Sequence, residues 1–348
     1  NTENTVFGYH ALTNAGTVLG NVGADYNVAV GHLAMGTGTT TDATYNVAVG
    51  HKALEDITVG DFNTALGIFA GGNLTTLAET VFIGAYAGDA VTTTGTGQDG
   101  TVAIGANALG VLTSGAKNVA VGYRAGFETE IGDSNIAIGY KTMIGDAGLQ
   151  NDNNIAIGSE NADASVLGAM SGQWTGTASS DNIAIGTGSM AGPMNTGLKN
   201  VAIGTEALND LVSGNHNVAI GYRALDELTN SSENIAIGAY ALNACDAGEG
   251  NNIGIGYGAG GSIDHEDSDN NVIIGTSAGI GGAAAMKECI VIGTSAMTST
   301  STNAQTGTIS IGHQSLNALT SGAGNVAVGY NALLTNVDGG YNTAVGYE

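Results

Sequence analysis

The sequence predicts an all-β fold, a parallel β-solenoid of about 19 coils with a 17-residue basic repeat. A pentapeptide of the type Asn-Val-Ala-Ile-Gly, seen at 200–204, 217–221 and 234–238, recurs nineteen times, and its closing glycines are never fewer than 17 residues apart. The residues three and one before each glycine are mostly β-branched, which favours a short strand and disfavours helix. Because the repeat leaves no room for a boundary, we expect a single repeat domain over 1–348, with its largest loop insertion at 159–181.

The composition limits the kinds of partner. Seven basic and thirty-one acidic residues give a formal net charge of -24, which repels nucleic-acid phosphates and anionic lipids. No apolar run is long enough to span a bilayer, so we expect no membrane insertion by this segment, and any export signal would lie outside it. For the two cysteines, Cys245 and Cys289, two buried thiols are favoured over a disulfide bridge.

The first residue of the pentapeptide is asparagine in fifteen of the nineteen copies. In a solenoid these residues form one stacked column, and an amide can donate to one coil while it accepts from another. We therefore expect a structural ladder and not a catalytic site. Its clearest members are Asn118, Asn135, Asn154, Asn182, Asn200, Asn217 and Asn234.

The segment after each glycine predicts a second strand. Four basic residues, Lys52, Arg124, Lys141 and Arg223, lie two positions after a glycine and should face water. The alanine that follows them would then point inward, and the Leu or Met after it outward. On the first strand we expect the β-branched pair to face the core and the middle alanine to face out.

These orientations predict two apolar stripes that a soluble monomer would not expose. We expect sister chains to cover them in a parallel homotrimer, although the sequence does not fix the oligomer number. The residues of this predicted oligomer seam are Ala202, Ala219, Ala236, Leu208, Leu225 and Leu242.

Opposite charges fall in shared columns of neighbouring coils. Lys141 and Glu160 form one such pair, and Glu206 and Arg223 form another. Stacking would bring the two members of each pair to about 5 Å. Exposed pairs of this kind add only a few tenths of a kcal/mol, so they would adjust register more than stability.

The repeat resembles a known family. Asn-Val-Ala-Ile-Gly followed by Ala three places on is similar to the head repeat of YadA-type trimeric autotransporter adhesins. The fuller form at 325–333, Asn-Val-Ala-Val-Gly-Tyr-Asn-Ala-Leu, also resembles phage tail-fibre repeats. The resemblance implies a left-handed β-roll that trimerises, lies outside a cell or on a virion tail, and serves in attachment.

Two irregular segments hold candidate binding residues. Trp174 lies in the largest insertion and could stack on a glycan, or it could anchor its loop to the coils. Asp264, Glu266, Asp267 and Asp269 form the densest acidic stretch and are candidate calcium ligands, although EF-hand spacing is missing. A solvated acidic turn is the alternative, and no other cofactor is expected.

Enzymatic activity is not expected. Asp210 and Glu227 share a column and resemble a glycosidase carboxylate pair, but short loops on narrow coils seldom form a pocket. We therefore assign no catalytic residue. The six histidines are scattered, and three of them directly follow a motif glycine, as surface residues would.

The sequence therefore predicts a non-enzymatic structural and adhesive extracellular fibre, carried on a cell surface or virion tail. The alternative is a subunit of an extracellular filament that stacks end to end. Ice binding is disfavoured because Thr-X-Thr occurs irregularly and forms no column. The sequence does not identify a receptor.

Overall fold

The computed structural model describes residues 3–13, 23–91, 99–128, 132–144, 151–161, 167–172, 179–282, 284–299 and 304–348. It contains two compact units, Asn1–Ser180 and Asp181–Glu348, each with its own stack of coils. The described residues contain strands, turns and bends and no α-helix. The predicted all-β parallel solenoid is confirmed.

The first unit holds nine strands of three residues, and each pairs in parallel with the next. They are β1 (Thr5–Phe7), β2 (Val28–Val30), β3 (Val47–Val49), β4 (Thr64–Leu66), β5 (Val81–Ile83), β6 (Val102–Ile104), β7 (Val119–Val121), β8 (Ile136–Ile138) and β9 (Ile155–Ile157).

The second unit repeats this arrangement and adds a small side sheet of β16 and β18. Its strands are β10 (Ile183–Ile185), β11 (Val201–Ile203), β12 (Val218–Ile220), β13 (Ile235–Ile237), β14 (Ile253–Ile255), β15 (Val272–Ile274), β16 (Met286–Lys287), β17 (Ile290–Ile292), β18 (Gln305–Thr306), β19 (Ile309–Ile311), β20 (Val326–Val328) and β21 (Thr343–Val345). The motif strands pair without slippage, so Ala202 lies opposite Ala219 and Ala219 opposite Ala236.

The predicted orientation of the motif strand is wrong. The middle residue is buried in every motif strand except β1 and β21, while the first and third residues are half-buried or exposed. Thus Ala202 is fully buried and Ile203 is 36% exposed. The interior of each coil is narrow, and it accepts the methyl group of alanine more readily than the branched side chain of Val or Ile.

The prediction of a second strand after each motif glycine is also wrong. The described residues of that segment form turns. Residues two and four after the glycine adopt left-handed backbone, as in Glu206 (φ 57°) and Leu208 (φ 49°). Their N–H groups still bond between coils: that of Glu206 donates to the Thr187 carbonyl at 2.9 Å and that of Leu208 to the Ala224 carbonyl at 3.0 Å. The turn therefore replaces a strand without leaving the backbone unpaired.

The turn sends its leucine inward. Leu208, Leu225 and Leu242 are fully buried, as are the alanines three after the glycine. The predicted oligomer seam is therefore wrong in all six of its residues, Ala202, Ala219, Ala236, Leu208, Leu225 and Leu242, which form the core.

Two positions of each coil supply much of the core. Where the strand carries Ala, the position four after the glycine usually carries Leu or Met. The buried Phe82 ring instead lies against two glycines at that position, Gly88 of its own coil and Gly71 of the preceding coil, and a Cβ on either would lie within 2.7 Å of the ring. The ring fits because both glycines leave room for it.

The motif glycines determine how closely the coils stack. Gly221 has φ of 141°, a conformation that side chains rarely adopt. A Cβ on Gly221 would lie 2.5 Å from the Gly238 carbonyl oxygen of the next coil. Glycine is required here for both its conformation and its lack of a side chain.

We expect Gly221→Ala to lower the free energy of unfolding by at least about 2 kcal/mol, because it combines backbone strain with a backbone clash. Thermal and chemical unfolding of the whole chain would measure the loss. Gly258→Ala is the matched control: its φ is 60° and nothing lies within 4 Å of an added Cβ. That change should cost only about 1 kcal/mol. Equal losses for the two variants would contradict this account of the stacking.

Candidate functional site

The predicted asparagine ladder is confirmed. Asn217 Nδ2 donates to the Ser231 carbonyl at 2.9 Å, and Asn217 Oδ1 accepts the Asn234 backbone N–H at 3.0 Å. Its own backbone N–H donates to Asn200 Oδ1 at 2.9 Å. The other predicted members, from Asn118 to Asn234, are buried and make equivalent bonds.

Some ladder positions lack asparagine and keep part of the pattern. Thr80 Oγ1 lies 2.6 Å from Asn63 Oδ1, and the Cys289 backbone N–H donates to Asn271 Oδ1 at 2.9 Å. Because the same bonds recur from coil to coil, the column is scaffold and not a reactive centre.

We expect Asn217→Ala to cost about 2 kcal/mol, since it leaves the buried Ser231 carbonyl and Asn234 N–H without partners. Thermal unfolding would measure the loss. Asn209→Ala in the same coil removes only an exposed bond to Asp210 Oδ1 and should change stability by no more than about 0.5 kcal/mol. A ladder variant as stable as this control would contradict the assignment.

The exposed side of the strands is apolar. We call the first and third residues of the motif strands the outer columns. Neighbouring members stay partly in water: Ile203 and Ile220 are each 36% exposed and Ile237 38%. None of the outer-column residues is charged, in a chain of net charge -24. The outer columns form a continuous uncharged sheet face in each unit.

Aromatic side chains stack beside this face. Tyr123 and Tyr140, each directly after a motif glycine, have ring centroids 5.4 Å apart and are 44% exposed. Tyr222, Tyr240 and Tyr257 form a run of edge-on contacts at 5.3 and 5.9 Å. Tyr240 and Tyr257 also line a depression of about 370 Å³ with Asn243, Ser262 and Ser277.

Both predicted inter-coil ion pairs are present. Lys141 Nζ lies 2.8 Å from Glu160 Oε2, and Arg223 Nε contacts Glu206 Oε2. Each pair is only partly exposed and joins one coil to the next.

Asp226 lies beside the second of these pairs, with Oδ2 3.6 Å from Arg223 Nε. Burial raises the pKa of Asp226 to about 6, with Arg223 opposing the rise and Asp210, Glu206 and Glu227 adding to it. Between the ordinary aspartate pKa of about 4 and pH 6, the folded chain keeps a proton that the unfolded chain has lost. Stability from this group is therefore lost as pH rises through that window.

We expect Asp226→Asn to raise the free energy of unfolding at about pH 8 by about 1 to 2 kcal/mol, because it removes a partly buried charge. The gain should shrink toward zero at about pH 4, where the native carboxyl is protonated. Thermal midpoints measured across this range would show the trend. A gain for Asp226→Asn that does not change with pH would contradict the mechanism.

The four predicted calcium ligands do not come together. Asp269 Oδ1 accepts the Gly250 N–H at 2.9 Å, and Asp267 Oδ2 lies 4.0 Å from His265 Nδ1. Glu266 is exposed. Because the stretch turns, its side chains point to different neighbours and only Asp264 joins an acidic cluster.

That cluster comprises Asp246, Glu249 and Asp264, with one carboxylate oxygen of each within 4.8 Å of the others. Sequence reasoning missed Asp246 and Glu249, although a signal was present. Asp246 and Asp264 each lie eight residues after a motif glycine and so occupy one column of successive coils.

The cysteines are buried and unpaired, as expected. Burial raises the pKa of Cys289 to about 11, and burial together with Glu249, Asp246 and Asp264 raises the pKa of Cys245 well above its usual value. Neither thiol is set up as a nucleophile.

The remaining residues considered from the sequence are Trp174 and the carboxylate pair Asp210 and Glu227. Trp174 lies outside the described residues. Asp210 and Glu227 occupy one column and are both exposed, and neither lines the depression beside Tyr240 and Tyr257.

A scan of known protein families gives no match to this sequence, and a search of curated proteins finds no significant relative. Within the described part of the chain, no helix has the length and apolar character that crossing a membrane would require.

Proposed function

We propose that this chain is a non-enzymatic structural and adhesive segment of an extracellular fibre, on a cell surface or virion tail, that assembles as a parallel homotrimer. The observation that carries the proposal is the uncharged outer-column face. The predicted seam is replaced by these columns, with Ile203, Ile220 and Ile237 as central members.

A second copy of the chain is the partner that this face fits best. No charged residue lies in the outer columns, and the charged residues of the described coils lie outside the motif strands. A face with one residue pattern in every coil matches a sister chain at the same axial spacing, which repeats the contact coil after coil. Extensive apolar faces of this kind are typical of permanent assemblies.

Attachment is supported by aromatic groups at the surface, of which Tyr257 is exposed and Tyr240 half-buried. Tyr240 and Tyr257, with the polar side chains of Asn243, Ser262 and Ser277, offer ring faces and hydrogen-bonding groups in one depression. Sugars bind to such combinations because their C–H faces pack on aromatic rings while their hydroxyl groups form hydrogen bonds. A surface glycan is the class of receptor that this chemistry favours.

Light scattering and negative-stain microscopy of the whole chain test the assembly. We expect a discrete particle with three times the mass of the chain. Ile220→Lys with Ile237→Lys should convert it to monomers, because two charges would be buried at each contact. Asn230→Lys with Glu227→Gln adds the same net charge away from the outer columns and should leave the trimer intact.

A monomer at all concentrations would overturn the proposal, and so would an unchanged trimer in the Ile variant. Circular dichroism of that variant must show the native spectrum. Indefinite fibres would support the alternative of an end-to-end filament. Retention of the intact trimer on immobilised glycans tests attachment separately, and a lack of retention would remove adhesion from the proposal.

A further inference from the structure

The acidic cluster of Asp246, Glu249 and Asp264 joins two successive coils of the second unit. Asp246 precedes β14, Asp264 follows it, and both carboxylates are exposed. Glu249 lies between them in sequence and is fully buried. One carboxylate oxygen from each residue lies within 4.8 Å of the other two, so three acidic groups converge on one small volume.

Glu249 is an unusual residue for its position in the repeat. It lies seven residues before its motif glycine, a buried column that holds Gly214, Ser231 and Ser268 in nearby coils. The Glu249 backbone carbonyl takes part in the asparagine ladder like the other carbonyls of this column, since it accepts a hydrogen bond from Asn234 Nδ2 at 2.8 Å. The side chain therefore adds a buried carboxylate where the ladder needs none.

The Glu249 carboxylate is only half satisfied. Oε2 accepts the Asp246 backbone N–H at 3.2 Å, while Oε1 is buried with no hydrogen-bond partner among the described residues. The ion pairs of the described residues leave all three carboxylates without a cationic partner. The cluster therefore lacks a positive charge to balance the buried, unpartnered Glu249 oxygen and the two neighbouring carboxylates.

A site of three carboxylates suits a particular kind of cation. Calcium binds oxygen ligands at about 2.3 to 2.6 Å, so two ligands of one ion can lie up to about 5 Å apart, and the three oxygens meet that condition. Magnesium loses its waters reluctantly and is usually held by only one or two carboxylates. The exposed edge formed by Asp246 and Asp264 leaves room for the waters that would complete a calcium shell.

We propose that Asp246, Glu249 and Asp264 bind one calcium ion, which ties the coil that ends at β14 to the coil that follows it. The ion supplies the positive charge that the buried Glu249 oxygen lacks. Burial raises the pKa of Glu249, and Asp246 and Asp264 add to this, while backbone hydrogen bonds oppose it. A bound cation reverses that cost by favouring the carboxylate form.

Calorimetric titration of the chelator-treated whole chain with calcium chloride tests the site, together with thermal unfolding in calcium and in chelator. We expect one ion bound per chain and a higher thermal midpoint with calcium. Glu249→Gln and Asp264→Asn should each weaken calcium binding by about tenfold or more. Glu266→Gln with Asp267→Asn is the matched control from the same loop and should bind as the native chain does.

Three results would overturn the proposal. The first is no heat and no midpoint shift with calcium. The second is undiminished binding by Glu249→Gln and Asp264→Asn, and the third is an equal midpoint shift with magnesium chloride at the same ionic strength. If Glu249→Gln fails to fold, Asp246→Asn with Asp264→Asn decides the question, because both side chains are exposed. Oligomeric mass is read separately, so failure of this site leaves the fibre proposal standing.

Discussion

The close approach of the motif glycines is the constraint on which the rest of the structure depends. A Cβ on Gly204 would lie 2.5 Å from the Gly221 carbonyl oxygen. That contact brings the coils close enough for the strands to pair without slippage and for each asparagine amide to reach the next coil. A larger residue would separate the coils and break several buried hydrogen bonds at once.

Tight coils leave a thin interior, and this determines which side chains face water. In many coils a strand alanine and a Leu or Met of the turn fill the space, and Phe82 fits only where Gly71 and Gly88 make room. The β-branched residues that favour extended backbone are consequently placed outside, although they are the most apolar residues of the repeat. A tightly packed apolar interior and a partly exposed apolar face therefore arise from the same narrow coil.

The 17-residue period predicted the motif strands, their register and the asparagine ladder, since these features depend only on residues that recur in each coil. It could not predict the direction of the side chains, because Ala202 and Ile203 are both apolar and alternation gave no polar contrast. The left-handed turns at Glu206 and Leu208 carry no glycine themselves, and the signal for them lay in other coils, where Gly71, Gly88 and Gly258 hold the same columns with positive φ. For the acidic cluster, the high density of acidic residues around Asp264 indicated the wrong set of ligands. The column that Asp246 shares with Asp264 was the correct signal.

The placement of charge connects the two proposals. In the proposed trimer, three chains of net charge -24 would repel one another, and this repulsion would oppose the apolar attraction between outer columns. The acidic residues of the described coils lie outside the strands, where a Debye length of about 8 Å at physiological ionic strength screens the exposed ones. The Asp246, Glu249 and Asp264 cluster is different, because Glu249 is buried and beyond effective screening by salt. The proposed calcium ion would balance this charge from within the structure, where a screening ion of the solvent does not reach.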